Sequence, residues 1–208
     1  MNAMLAVLLG LGFIGFILWR GLVQARQTHD NLRRLADKLG LQVGATDSSL
    51  GVFLTSPRAQ GLVDGRAMEL YTFSKGSGKS RSTWCALRMR PALARDVEFD
   101  LSPQGLGSRV LGWFGVKEIT LGQREFDEAF FVRTNEPALL TAALVAAIQA
   151  KMLAAQQAGV RGTFKLEKGE LTYTEQGTFA ADKLCAHFES AASVLRDLAD
   201  VAEVVGRT

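Results

Sequence analysis

AMLAVLLGLGFIGFILW, residues 3–19, is a run of seventeen residues without a charge, and its reading decides the architecture. As a helix rising about 1.5 Å per residue it covers roughly 26 Å, slightly less than a bilayer's hydrocarbon core of about 30 Å. Gly21, Leu22 and Val23 extend it past Arg20, whose long side chain can reach the headgroups. Trp19 stands where an interfacial aromatic belongs. A cleaved signal peptide needs a cationic start and a small-x-small cleavage site. No Lys or Arg precedes the run, and Val23-Gln24-Ala25 is a poor site. The expectation is an uncleaved transmembrane anchor over 1–23.

Arg20, Arg26, Arg33, Arg34 and Lys38 all follow the span. The positive-inside rule then puts the N-terminus outside and the rest of the chain in the cytoplasm. Residues 1–95 hold 13 Lys+Arg against 5 Asp+Glu, and residues 96–208 hold 11 against 16. The cationic half is the one joined to the anchor, which suits an anionic leaflet. Cys85 and Cys185 form no CxxC and no disulfide framework; reduced buried thiols are the reading, with one long-range bridge left open. Ala6 and Gly10, four apart, are read as ordinary anchor filler rather than a helix-pairing motif.

Residues 24–40 read as a juxtamembrane helix, with Leu32, Leu35, Ala36 and Leu39 at three-and-four spacing and Gly40 as its stop. The soluble domain is then 41–208, long enough for one full core. Asp64-Gly65 between apolar runs predicts a hairpin over 60–73, and Lys168-Gly169 a second over 163–174. Strands are expected at 83–89, 97–101 (half-buried, because apolar and acidic residues alternate), 117–121 and 129–133. Asn135 is expected to cap one long helix to about Gln157, and Leu184, Phe188, Ala191, Leu195, Leu198, Ala202 and Val205 form the seam of a last helix over 179–205. The fold class is therefore α+β: one N-terminal transmembrane helix, a linker helix, five or six strands of a mostly antiparallel sheet, then two long C-terminal helices with the second hairpin between them.

GQREFD at 122–127, followed by FVRTNEP at 131–137 and Leu139-Leu140, resembles a G-D-x-x-F-D-x-x-F-x-V-x-T-x-x-P pattern of membrane-anchored bacterial domains of unknown function. The match covers about 20 residues, and Gln123 stands where that pattern has Asp. The resemblance implies an anchor, a strand-rich domain and a bacterial inner membrane, but no chemistry. Read from the residues, Phe126 and Phe130 or Phe131 are core anchors and Asp127 caps a turn.

Motifs for chemistry fail one after another. Gly78-Lys79-Ser80 ends like a phosphate-binding P-loop, but Phe73 replaces the first glycine and the following residues are strand-like. Lys75, Lys79 and Arg81 remain a candidate anion contact at a hairpin tip. His29 lies beside the bilayer, and His187 points about 200° away from Cys185 around its helix. No histidine pair or cysteine cluster has metal-ligand spacing, so no metal and no cofactor are expected. Arg81, Trp84, Arg88 and Arg90 come nearest to a nucleic-acid surface, with Trp84 and Arg88 on one strand face, yet the segment reads as a strand with one core face and one solvated face, and no nucleic-acid partner is expected. Four glycines at 105, 107, 112 and 115 interleave with Leu106, Val110, Trp113 and Phe114, which are a candidate interaction surface if the loop is exposed and a core plug, the favoured reading, if it is buried.

The reading is a non-catalytic, membrane-tethered interaction or assembly module, its partners the bilayer through 1–23 and a membrane protein or a second copy. A module for anionic lipid or a small anion is one alternative, and an enzyme of unrecognised type is the other.

Overall fold

The computed structural model describes residues 2–44, 58–92, 96–104 and 117–205; of residues 2–14, 17 and 117 it describes the backbone alone. The candidate surface Leu106, Val110, Trp113 and Phe114 lies outside the described residues. Helix α1 (Asn2–Leu39) is unbroken through the apolar run and the juxtamembrane segment. Among the described residues no single helix is long and apolar enough to cross a membrane. Most of the expected anchor side chains fall outside them.

Nine described strands make one sheet, every pair antiparallel: β1 (Gln42–Val43), β2 (Ala59–Val63), β3 (Arg66–Lys75), β4 (Ser82–Met89), β5 (Phe99–Pro103), β6 (Lys117–Ile119), β7 (Phe130–Thr134), β8 (Thr163–Glu167) and β9 (Glu170–Gln176). The spatial order is β1-β2-β3-β4-β9-β8-β5-β7-β6. The second hairpin is thus the middle of the sheet, joining an N-terminal meander to the β5–β7–β6 group. Both hairpin turns have two residues in the left-handed region, Asp64 (φ 52°) with Gly65 (φ 76°) and Lys168 (φ 52°) with Gly169 (φ 73°). Those are the turns whose twist matches paired strands, which is why the Asp-Gly signal reads correctly.

The helices cover one face. α5 (Asp182–Val205) buries Leu184, Phe188, Ala191, Leu195, Leu198, Ala202 and Val205, the seam expected from the spacing. It packs on Leu87, Leu171, Tyr173 and Phe164 of the sheet within one core. α2 (Arg124–Ala129) stacks Phe126 on Phe130 with ring centroids 4.9 Å apart. Asp127 accepts from the amides of Leu121 at 2.8 Å and Gly122 at 3.0 Å, so the motif aspartate closes a turn as its residue type suggests.

Three expectations need correction. The single helix over 135–157 is two, α3 (Pro137–Ala143) and α4 (Ala146–Gln157), bent by 81°. Leu144 is drawn fully into the core, and its freed carbonyl accepts from Gln149 Nε2 at 2.7 Å, so the break is satisfied locally. Asn135 caps neither helix: its amide group ties β7 to the Asp96–Glu98 segment, with Oδ1 accepting from Glu98 N and Nδ2 donating to Asp96 O, both at 2.8 Å. Strand β5 is buried along its whole length rather than half-buried. It is an interior strand, and its Asp100, 4% exposed, lies in register between Arg133 and Lys165, whose long stems flank it.

Candidate functional site

Helices α1 and α5 lie side by side and run in the same direction. Asn31 Nδ2 donates to Asp182 Oδ1 at 2.9 Å and to Ala180 O at 3.2 Å, while Lys38 Nζ meets Glu189 Oε2 at 2.6 Å one turn and more along both helices. Leu32, Leu35 and Ala36 fill the seam between them. Ahead of Asn31 the described apolar side chains of α1 are exposed: Leu18 is 63% and Trp19 61% exposed, and Phe16, Leu22 and Val23 are also exposed. Five large apolar side chains in eight residues is far more than scattered surface hydrophobics.

The candidate anion contact sits at the tip of the β3–β4 hairpin. Gly76 (φ 84°) has no room for a side chain, since a Cβ would come within 2.5 Å of Ser80 O. One 3₁₀ turn (Gly78–Ser80) follows, closed by Ser80 Oγ donating to Ser77 O at 2.9 Å. Strand β4 comes directly after it, so no helix N-terminus faces a phosphate and the P-loop reading has no structural basis. Lys75 Nζ lies 4.3 Å from the Trp84 ring centroid and 5.6 Å from that of Phe73. Lys75, Lys79 and Arg81 are exposed and make no ion pair with a described residue.

At the other end of the strands the arginines are neutralised. Arg66 pairs with Asp200 at 2.6 Å and Glu203 at 2.8 Å, Arg88 with Glu69 and with Glu170 at 3.1 Å, and Arg90 with Glu170 at 2.7 Å. Arg88 and Arg90 therefore do not join Arg81 and Trp84 in one basic patch. A depression of about 650 Å³ beside them, lined by Gln42, Gln60, Met68 and Glu69 among others, holds these already-paired groups.

A buried polar chain escaped the sequence reading. Tyr173 hydroxyl donates to Glu175 Oε2, and Glu175 Oε1 is 2.9 Å from His187 Nδ1. The three residues are 0%, 8% and 6% exposed. Tyr173 oxygen also accepts from Gly162 N at 3.2 Å. Burial, and then the neighbouring carboxylate, push the Tyr173 phenol well above its ordinary value, so it stays a donor. His187 Nε2 is buried with no hydrogen-bond partner among the described residues, and it faces Gly159, where a Cβ would approach to 2.8 Å. Cys85, the register partner of Glu175, donates its thiol to Gly177 O at 3.5 Å; burial pushes that thiol up to about 12. It is a thiol rather than a thiolate at neutral pH and is no nucleophile for a His187 base. Both cysteines are free. Among the described residues no group of three His, Cys, Asp or Glu could hold a metal ion.

The signal for this chain was present locally. Leu171, Tyr173 and Glu175 alternate onto one face of β9, and His187 lies between Leu184 and Ala191 on the seam of α5. A carboxylate on a core face requires a partner.

The sequence matches no family model and no curated protein. Among solved structures, the chain is similar to the crystal structure of the mycobacterial trehalose monomycolate transport factor A, TtfA. The TM-score is 0.55 at 12% identity, over 86% of this chain and 93% of that one. At that identity the two share a fold, and the likeness extends to nearly all of both chains.

Proposed function

We propose that this chain is a non-catalytic interaction or assembly module, held at the cytoplasmic face of a bacterial inner membrane by the first half of α1. The observation that carries the reading is the continuity of α1. One helix runs from an uncharged stretch through exposed Phe16, Leu18, Trp19, Leu22 and Val23 into a seam packed by Leu32, Leu35 and Ala36. Exposed apolar area of this kind needs a nonaqueous cover, and a helix entering lipid supplies one. Because the same helix docks against α5, the domain is coupled to the anchor without a flexible linker. The arginines after Trp19 favour the cytoplasmic side. The similarly folded protein is a transport factor for trehalose monomycolate; at fold level this supports the architecture and says nothing of a cargo here. Leu106, Val110, Trp113 and Phe114 have the composition of a partner contact, with a membrane protein or a second copy as the partner.

Membrane fractionation tests the anchor. The full chain should resist carbonate extraction and come out with detergent; release by carbonate refutes it. Half-buried Cys185 tests sidedness. In spheroplasts it should resist an impermeant maleimide until the membrane is opened, and labelling before opening reverses the orientation. Purification in mild detergent should retain a stoichiometric partner or second copy, and a bare monomer refutes the interaction reading.

A further inference from the structure

We infer that the β3–β4 hairpin tip is a second membrane contact, in which Lys75, Lys79 and Arg81 bind anionic lipid headgroups of the bilayer that holds α1. The inference rests on the membrane-tethered reading above and adds a site, a ligand class and an orientation to it.

The argument is one of placement. α1 and α5 run parallel, with Asn31 level with Ala180 and Asp182, so the part of α1 ahead of Asn31 leaves the domain beyond the N-terminus of α5. Strand β9 delivers the chain to that same end, through Gln176 and Gly177. Gln176 is the register partner of Trp84, and Gly177 N donates to Thr83 O at 3.0 Å. Lys75 and Ser82, a register pair two residues beyond Trp84, lie about 7 Å further out, and the tip lies beyond them. On α1, Arg26 is five residues before Asn31, about 8 Å further out in the same sense, and Arg20 about 16 Å. Tip and anchor arginines therefore advance toward the bilayer together.

Charge supports the same orientation. Arg20, Arg26 and Arg33 on α1 and the three tip cations make no ion pair with a described residue. At the far end, Arg66, Arg88 and Arg90 are matched by Asp200, Glu203, Glu69 and Glu170. Asp30 and Asp182 lie exposed toward the same end, beside His29 and Arg34, but residues 74–82 of the tip hold three cations and no carboxylate, which is complementary to an anionic surface. Trp84 and Phe73 add half-buried rings under Lys75, an aromatic-cation arrangement suited to the headgroup layer. Gly76 and the 3₁₀ turn hold the tip in one compact shape, which keeps the three charges on a single projection.

The test is hydrogen exchange of the full chain in nanodiscs of pure phosphatidylcholine and of phosphatidylcholine with 30% (~) phosphatidylglycerol, a fraction chosen to give a potential of the physiological order. Three cations at about fivefold each favour contact by about a hundredfold, so amides 76–81 should exchange about tenfold or more slowly in the anionic discs. The Lys168-Gly169 turn, at the opposite end, should exchange alike in both. Replacing the cations together (Lys75→Gln, Lys79→Gln, Arg81→Gln) should abolish the difference, whereas Lys168→Gln should keep it. Equal exchange at the tip in both discs overturns the inference. Protection in the neutral discs on adding inorganic phosphate overturns it in favour of a free-anion site. A chain that does not enter the discs overturns the membrane-tethered reading as well, whereas one that enters without tip protection overturns this inference alone.

Discussion

Replacing Glu175 with alanine should be among the most damaging single substitutions in the domain. The carboxylate accepts from the Tyr173 hydroxyl and lies 2.9 Å from His187 Nδ1, and both partners are buried. Alanine leaves two buried polar groups without a partner, at about 1–3 kcal/mol each. It also leaves a small cavity worth about 1 kcal/mol. The sum, about 3–7 kcal/mol, contains the range of about 3–5 kcal/mol for removing one partner of a buried pair. For a domain of this length that lowers Tm by roughly 10–20 °C. Guanidinium unfolding of the detergent-solubilised chain measures it, with Tyr173→Phe and the double variant completing a cycle. Tyr173→Phe should cost about 1 kcal/mol alone and close to nothing once Glu175 is gone. Glu175→Gln, which keeps one acceptor, should cost about half as much as alanine. A Glu175→Ala loss below about 1 kcal/mol, or additive effects of the two substitutions, would show that the chain is not a coupled buried network, and the reasoning fails.

Further outcomes follow from the same structure. Gly162→Ala places a Cβ 2.4 Å from Thr174 O and 2.5 Å from the Tyr173 ring, and should cost about 2–3 kcal/mol in the same unfolding assay. Burial holds the Asp100 carboxyl above its ordinary value, against the opposing pull of Arg133 and Lys165. The neutral form therefore fits the fold better. The penalty is absent below the unfolded-state value of about 3.9 and grows as pH rises toward the folded value, so Asp100→Asn should raise the guanidinium midpoint at pH 7. Near pH 3 the same substitution should change little, and a destabilised variant at pH 7 would reverse the sign argued here. Cys85, fully buried with its thiol pushed up to about 12, should react with maleimide at pH 7 at least about tenfold more slowly than half-exposed Cys185, read by peptide mapping.

The two hairpin turns were legible because a two-residue turn is a local object: Asp64-Gly65 and Lys168-Gly169 specify the required left-handed backbone with no help from the rest of the chain. The seam of α5 was legible for a similar reason, since its period is written in one continuous segment. The central position of the β8–β9 hairpin was not. Its outer pairings, Trp84 with Gln176 and Phe99 with Leu166, join residues more than sixty apart, and no local pattern encodes a partner at that separation. The break between α3 and α4 was hidden because AALVAAIQA has no strong face and no glycine or proline; burial of Leu144 and the Gln149 cap, both tertiary, decide it.

The Tyr173–Glu175–His187 chain lies between these cases. Alternation along β9 puts Glu175 inward, and helical spacing puts His187 on the buried seam of α5. Each placement taken singly is an anomaly that a sequence reader discounts, because a charged or titratable group on a core face more often signals a wrong assignment. Together they resolve each other, since two core-facing polar groups on adjacent elements can satisfy one another where either alone would be costly. The hairpin tip is the converse. Lys75, Lys79 and Arg81 were visible as cations, yet the role inferred for them rests on the parallel run of α1 and α5, which brings the tip to the end of the domain where the apolar half of α1 departs. Residue type named the chemistry in both cases, and topology decided which neighbours that chemistry meets.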